Sequence, residues 1–226
     1  MKIAVTGRRG LLSSELQSID ESIVALSKEE FDVYDESVIE KLSKLDPDIV
    51  IHSAAITSSK EVTKNPLPAM RVNIIGTARI AEYCYTRNKR MVFISTDYVY
   101  PGTRGDYKES DAVLPNNDYA WTKLAGECST RLVKNHLIIR TSFGPSKFPY
   151  DSAWINQSVS KDYVDVIAPM ILKASTSNAT GIINIGTESK SMYEYASKRN
   201  KVEKAELETT KDFTLNIDRY ESLFLN

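Results

Sequence analysis

The stretch Ile3-Ala4-Val5-Thr6-Gly7-Arg8-Arg9-Gly10-Leu11-Leu12-Ser13 decides how this chain is read. A short β-branched run leads into two glycines, and a helix-compatible segment follows them. Strand, glycine-rich turn and helix come in the order that a dinucleotide pyrophosphate site requires. Gly7 permits the tight turn, and Gly10 lets backbone amides approach phosphates at a helix N-terminus. The third small position, usually Gly or Ala, is Ser13, still small enough for close helix–strand packing. The candidate cofactor cradle is therefore Gly7, Arg8, Arg9, Gly10, Leu11 and Leu12.

Outward from this turn, short apolar runs alternate with helical patterns, which implies βαβ units and a parallel sheet. The expected strands are 2–6, 23–26, 48–52, 90–95 and 136–140, and the expected helices 11–18, 36–44, 67–88 and 119–133. Ile49-Val50-Ile51 and Val92-Phe93-Ile94 are apolar throughout, as strands buried on both faces should be. The fold class is α/β: a Rossmann, doubly wound parallel sheet with helices on both faces and a small, shortened C-terminal substrate cap. Residues 1–145 would form the NAD(P)-binding domain with the catalytic residues. Residues 146–226 would form a small α-rich cap, partly interleaved with it. In that cap a helix is expected at 169–175 with Pro169 at its first position, a strand at 181–186, and helices at 192–199 and 217–224. Residues 100–115, rich in turn-forming pairs, read as a loop over the carboxyl edge of the sheet.

Composition narrows the function. The 226 residues carry a net charge of −1, without the basic excess of a nucleic-acid surface. No apolar run is long enough to span a membrane, and the N-terminus enters a strand directly rather than a leader-like segment. Cys84 and Cys128 make no disulfide framework; both read as small core residues of a reduced, cytoplasmic protein. His52 and His136 read as structural, and no metal site is expected.

The chemistry is carried by Tyr119-Ala120-Trp121-Thr122-Lys123. Residues four apart share a helix face, and a phenol of pKa ~10 needs a neighbouring ammonium to ionise near neutrality. Upstream, Ile94-Ser95-Thr96-Asp97-Tyr98 puts a hydroxyl at the carboxyl end of a buried strand, where open α/β sheets keep their ligands. The second strand ends in Ser27-Lys28 rather than an acid. Lys28 with Arg8 and Arg9 would suit a 2′-phosphate, so NADPH is favoured over NADH. Asp32, beside Val33, is placed toward the adenine.

With these pieces the chain resembles the extended short-chain dehydrogenase/reductase superfamily, and within it the dTDP-4-dehydrorhamnose reductase family. The matching segments run in order over about 145 residues. They are 6–10, 31–35, Pro47-Asp-Ile-Val-Ile-His-Ser-Ala-Ala-Ile-Thr57, 72–77, Ile94-Ser-Thr-Asp-Tyr-Val-Tyr100, Tyr119-Ala-Trp-Thr-Lys-Leu-Ala-Gly-Glu127 and Ile139-Arg-Thr-Ser142. The resemblance implies that Tyr119 gives a proton to a substrate carbonyl as hydride arrives from the nicotinamide. It implies that Lys123 lowers the Tyr119 pKa and binds ribose hydroxyls, and that Thr96 hydrogen-bonds the carbonyl oxygen. Ser53, Ala54 and Ala55 would line the cofactor cleft, with Thr57 near the phosphates or the nicotinamide ribose. Asn73 would hold backbone or water beside the catalytic residues, or serve only its helix. Asp97 and Tyr98 would face the sugar or order the neighbouring loop, and Phe143 would stand near the hexose; Trp154 would stack on a base or sugar, or, the favoured reading, be core.

The implied function is NAD(P)H-dependent reduction of a 4-keto-6-deoxy sugar linked to a nucleoside diphosphate. A nucleotide-sugar epimerase or dehydratase with bound NAD is the enzymatic alternative, although dehydratases usually add acids beside the Ser/Thr and Thr96-Asp97 supplies one. A non-catalytic cofactor-binding regulatory subunit is the other. By superfamily analogy alone, a homodimer would form through a bundle that includes the Tyr–Lys helix.

Overall fold

The computed structural model describes residues 1–225. Ile3–Thr6 (β1) leads through the glycine turn into Leu11–Ile19 (α1), followed by Val24–Leu26 (β2), Val38–Leu45 (α2) and Ile49–His52 (β3). Ser59–Lys64 (α3), Leu67–Ala69 (α4) and Thr77–Thr86 (α5) come next, with a π-helical stretch, Met70–Gly76, joining α4 to α5. Arg90–Ile94 (β4), Asp118–Thr130 (α6), His136–Thr141 (β5) and Val164–Thr176 (α7) follow, and Gly181–Ile185 adds a further strand. The six strands are parallel, in the order β2, β1, β3, β4, β5, Gly181–Ile185. From β1 the chain steps to β2 on one side and then to β3 on the other. This reversal opens a crevice at the carboxyl ends of β1 and β3.

β1, β3 and β4 are buried at every position, so apolar residues point to both faces. On one face Leu12 and Leu16 of α1 and Ile167, Ile171 and Ala174 of α7 pack on Val5, Ile51 and Ile139. On the other, Val38 and Leu42 of α2 and Ile80, Ala81 and Cys84 of α5 pack on Val50, Met91 and Ile138. Helix α6 lies down on β4 at Gly126, where an added Cβ would stand 2.6 Å from the Phe93 ring.

That close approach buries charge. Glu127, one turn beyond Lys123, accepts from Arg140 Nε (3.0 Å) and Nη2 (2.7 Å), and from Ser95 Oγ at 2.6 Å. Arg140 also donates to the Tyr100 hydroxyl at 2.9 Å, and Tyr100 stacks on Tyr107 of the loop that follows. Both members of the pair are almost fully buried, so either one alone would be an uncompensated charge.

The chain beyond residue 146 departs from expectation in three ways. Helix α7 begins at Val164, so Pro169 lies inside it rather than at its first position. The missing amide costs one intrahelical bond, which the burial of Ile167, Ala168, Ile171 and Ala174 offsets. Helix α7 and strand Gly181–Ile185 complete the main sheet, so the interleaving is extensive. The remaining cap is not α-rich: beside Met192–Ser197 and Asp218–Phe224 it contains short strands at Ser152–Trp154, Gln157–Val159, Lys190–Ser191, Glu203–Ala205 and Lys211–Phe213. Strands of two or three residues offer too little alternation to be seen in sequence.

Elsewhere, the single helix expected over 67–88 contains the π-helical stretch. Cys84 is buried, but Cys128 is exposed on α6 and is not a core residue. The expected strand and helix at 181–186 and 192–199 are present as Gly181–Ile185 and Met192–Ser197, the latter closed by a Ser191/Glu194 capping box. No described helix is long and apolar enough to cross a membrane. We expect Arg140→Ala to lower stability by about 3–5 kcal/mol, measured by urea unfolding; a loss below about 1 kcal/mol would show that water or another cation reaches Glu127.

Candidate functional site

The turn after β1 is shaped by β2 and β3. Gly7 has φ +84°, open to glycine, and a Cβ there would press to 3.0 Å from Ala54 Cα. Gly7 and Arg8 both donate their amides to Leu26 O, at 3.2 and 3.0 Å, which ties the turn over the end of β2. Thr6 Oγ1 accepts from the amides of Ser53 (3.2 Å) and Ala54 (3.0 Å), so the segment 53–55 is clipped beside the turn. Ser13 Oγ and Ser53 Oγ both donate to Thr6 O. Gly10 caps α1 in an extended conformation without a side-chain cap, leaving first-turn amides to an anion. This is a cradle that fits a dinucleotide pyrophosphate.

Around it the expected cofactor residues divide. Leu11 is exposed at the mouth and Leu12 is core. Arg8, Arg9 and Lys28 are all exposed near the end of β2, and Arg9 is paired with Glu29 at 2.8 Å. Val33 is buried against Gly76; half-buried Asp32 accepts from the Tyr34 amide. Thr57 is exposed. Asn73, fully buried in the π-helical stretch, accepts from Ile56 N at 2.8 Å and donates to Ile56 O at 3.0 Å. It also donates to Thr122 Oγ1 at 2.9 Å, tying the cleft wall to α6. A π-turn in that position widens the helix where its side chain is used.

The chemical groups converge at the carboxyl end of β4. Thr96 caps the turn Asp97–Val99; its hydroxyl accepts from the Tyr98 amide and donates to Asp97 Oδ1 at 3.1 Å. Burial pushes the Asp97 carboxyl up to about 6 despite the Lys161 ammonium and the Thr96 hydroxyl. Burial, then the Asp97 charge, pushes the Tyr98 phenol up to about 12, against a hydrogen bond with Gln157. Helix α6 starts at Asn117, whose side chain accepts from the Ala120 amide at 2.9 Å. One face of the helix then carries Tyr119, Lys123 and Glu127.

Tyr119 is half-buried and lies within the field of Asp97 and Tyr98. Its phenol is pushed above its usual value, by burial first and then by those two residues. The lowering expected from Lys123 is therefore reversed. Lys123 is itself buried, 4.1 Å above the Phe93 ring, and burial draws its ammonium down to about 7 against the pull of Glu127. Among the described residues the Lys123 Nζ meets this ring face and no oxygen acceptor.

His52 is structural, held between Thr6 Oγ1 (2.8 Å) and Thr77 Oγ1 (3.0 Å). His136 Nδ1 meets Val133 O at 2.6 Å. Among the described residues no three potential ligands gather as a metal site.

The cap residues fare differently. Phe143 is half-buried against the core beside α7, its strand pairing with Asp162–Tyr163. Trp154 is 40% exposed on a two-stranded ribbon with Glu203–Ala205, which excludes the core reading. Lys161 and Gln157, which sequence reasoning missed, act on Asp97 and Tyr98. Their signal was absent because the cap brings them in from more than fifty residues away. Glu127 was missed too, although its spacing from Lys123 made it visible.

Burial and the nearby Lys123 charge pull His52 from its ordinary value down to about 3. The unfolded chain binds this proton below about 6.5 and the folded chain does not, so stability falls as pH drops from 6.5 toward 3. His52→Asn should remove up to about 1.4 kcal/mol per pH unit of that slope. Urea unfolding at a series of pH values checks this; parallel profiles for the two proteins would refute it.

The chain is similar in sequence and in structure to known proteins. A dTDP-4-keto-6-deoxy-D-glucose reductase of Streptomyces niveus is 34% identical over 147 residues, 62% of this chain and 51% of that protein. A dTDP-4-dehydrorhamnose reductase of Sinorhizobium fredii is 31% identical over 154 residues, 66% and 52% of the two chains. The chain thus spans about half the length of the curated relatives it matches. A Bacillus anthracis dTDP-4-dehydrorhamnose reductase, solved in complex with NADP, overlays with a TM-score of 0.88 at 25% identity, covering 99% of this chain and 92% of that one. The family profile described as "RmlD substrate binding domain" matches residues 1–171, which takes in the cradle, the Thr96 turn, α6 and most of α7. The chain belongs to the RmlD substrate-binding-domain family.

Proposed function

We propose that the protein reduces a 4-keto-6-deoxy sugar carried on a nucleoside diphosphate, with NADPH as reductant. The observation that carries this reading is the convergence of Thr96, Tyr119 and Lys123 at the carboxyl edge of β4, in a chain of this family. When bound, the nicotinamide supplies the hydride. The Gly7–Gly10 turn and the first-turn amides of α1 would hold the pyrophosphate, and Arg8 and Lys28 the 2′-phosphate. Lys123 would donate to the ribose hydroxyls and thereby fix the ring. Tyr119 is protonated at neutral pH and so has a proton to give; because burial raises its pKa in the ligand-free protein, the transfer would depend on charge developing on the sugar oxygen beside it. Its proton passes to the sugar oxygen as the carbonyl becomes an alcohol, and Thr96 donates a hydrogen bond to the same oxygen. Asp97, Tyr98 and Gln157 would present polar groups to the sugar hydroxyls, and exposed Trp154 a surface for stacking.

The test is NADPH oxidation with dTDP-, UDP- and GDP-linked 4-keto-6-deoxy sugars. Tyr119→Phe should lower kcat by about 10²–10⁴-fold, and Lys28→Asp should weaken NADPH binding far more than NADH binding. A protein that binds NADPH but turns over no keto sugar would exclude the reductase reading and leave the regulatory one.

A homodimer through α5 and α6 is the second part of the proposal. Tyr85 on α5 (62% exposed), Trp121 on α6 (52%) and Leu132 in the turn after α6 (75%) leave large apolar side chains on this side of the chain. Sedimentation equilibrium should give twice the 25.4 kDa chain mass, and Trp121→Glu should shift it to a single chain; a wild-type monomer at micromolar concentration would sink the idea. A reduced, cytoplasmic setting fits the unpaired Cys84 and Cys128.

A further inference from the structure

Glu127 lies in the same α6 face as Tyr119 and Lys123, yet no step of the proposed reaction uses it. Its two oxygens are fully engaged. Oε1 accepts from Ser95 Oγ at 2.6 Å and Arg140 Nε at 3.0 Å, and Oε2 accepts from Arg140 Nη2 at 2.7 Å. Ser95 immediately precedes Thr96, and the Ser95 amide donates to Ile139 O at 2.7 Å. One carboxylate therefore reaches the strand end that presents Thr96, the helix that presents Tyr119 and Lys123, and the neighbouring strand β5. A neutral hydrogen-bonding residue would have been enough to join helix to sheet. A full negative charge is used instead, one helical turn from the buried ammonium.

We propose that Glu127 is a positioning residue: its carboxylate locks the Thr96 strand end to the Tyr119–Lys123 helix, and its negative charge, one helical turn away, favours the charged form of Lys123. The charges around Lys123 are few. Glu127 faces it from its own helix and neutral His52 from β3, while Phe93 of β4 offers only a ring face. Burial disfavours the Lys123 ammonium, and the Glu127 charge opposes that effect. Arg140 competes for the same carboxylate, at 3.0 and 2.7 Å, and is itself bonded to the Tyr100 hydroxyl. The geometry thus divides the work: Arg140 neutralises and orients the carboxylate, and the residual field acts on Lys123. This inference rests on the reductase reading for its catalytic readout, but its charge readout does not.

The test compares Glu127→Gln, which keeps shape and hydrogen bonds, with Glu127→Asp, which keeps charge and shortens the reach. In the ligand-free protein, Lys123 holds its proton less tightly folded than unfolded. Stability therefore rises with pH above about 7, toward the unfolded value of about 10.4. Thermal melts from pH 5.5 to 9 should show that rise beginning at least one pH unit lower in Glu127→Gln, and at an unchanged pH in Glu127→Asp. With NADPH and keto sugar, the alkaline fall in kcat should move to lower pH in Glu127→Gln. Glu127→Asp should keep the profile and lose about tenfold in kcat at nearly constant KM. Melting and rate profiles of Glu127→Gln superimposable on wild type would overturn the charge role, and an unaltered kcat in Glu127→Asp the positioning role. If Glu127→Gln does not fold, Glu127→Asp together with Ser95→Ala decides: Ser95→Ala should lower kcat without moving the pH profile, and an unchanged rate in both overturns the proposal. Absence of turnover by wild type would refute the reductase reading alone, since the ligand-free melts still report on Glu127.

Discussion

The constraint on which the rest depends is the close seating of α6 on β4. Gly126 lets the helix descend until the Phe93 ring fills the space a side chain would need. Once there, Lys123 must accept a ring face in place of water, and Glu127 must find Arg140. A larger residue at 126 would lift the helix, open both groups to solvent and separate Tyr119 from the Thr96 turn. The site is therefore a product of packing first and of charge second. Desolvation explains why the neighbouring groups titrate so far from their usual ranges: Asp97 upward, His52 and Lys123 downward.

The cofactor half is held by a different economy of parts. Thr6, at the end of β1, spends one hydroxyl on two amides of the 53–54 segment and on His52. Asn73 does the same for Ile56 from the opposite wall. Neither residue needs to touch a ligand to matter. Each fixes irregular backbone at the switch point, where strands end and regular hydrogen bonding stops. The π-helical stretch around Asn73 gives its side chain the reach to do so.

Much of this was legible in the sequence because it is local. The five leading strands and the α1, α2, α5 and α6 helices follow from apolar runs, glycine placement and periodicity, and the Tyr119–Lys123 pair from spacing, whereas Thr96 was singled out by the family resemblance. What escaped was either too short or too distant. Strands such as Gln157–Val159 and Lys211–Phe213 have three residues each. Pro169 misled because a proline usually opens a helix, whereas here tertiary burial tolerates it within one. Trp154 misled because large aromatics are usually covered, and a two-stranded ribbon leaves this one half in water. The rise in the Tyr119 pKa could not be read at all, since it arises from depth and from Asp97 rather than from the nearby lysine.

Strand Gly181–Ile185 is the last to join the sheet in chain order, and it pairs along the whole of its length with β5. During synthesis, β5 emerges some forty residues before its outer neighbour. Throughout that interval its Leu137-Ile138-Ile139 edge presents unpaired amides and carbonyls beside apolar side chains, the arrangement most prone to recruit another chain. The nascent protein is thus exposed on the very strand that carries Arg140, the partner of Glu127.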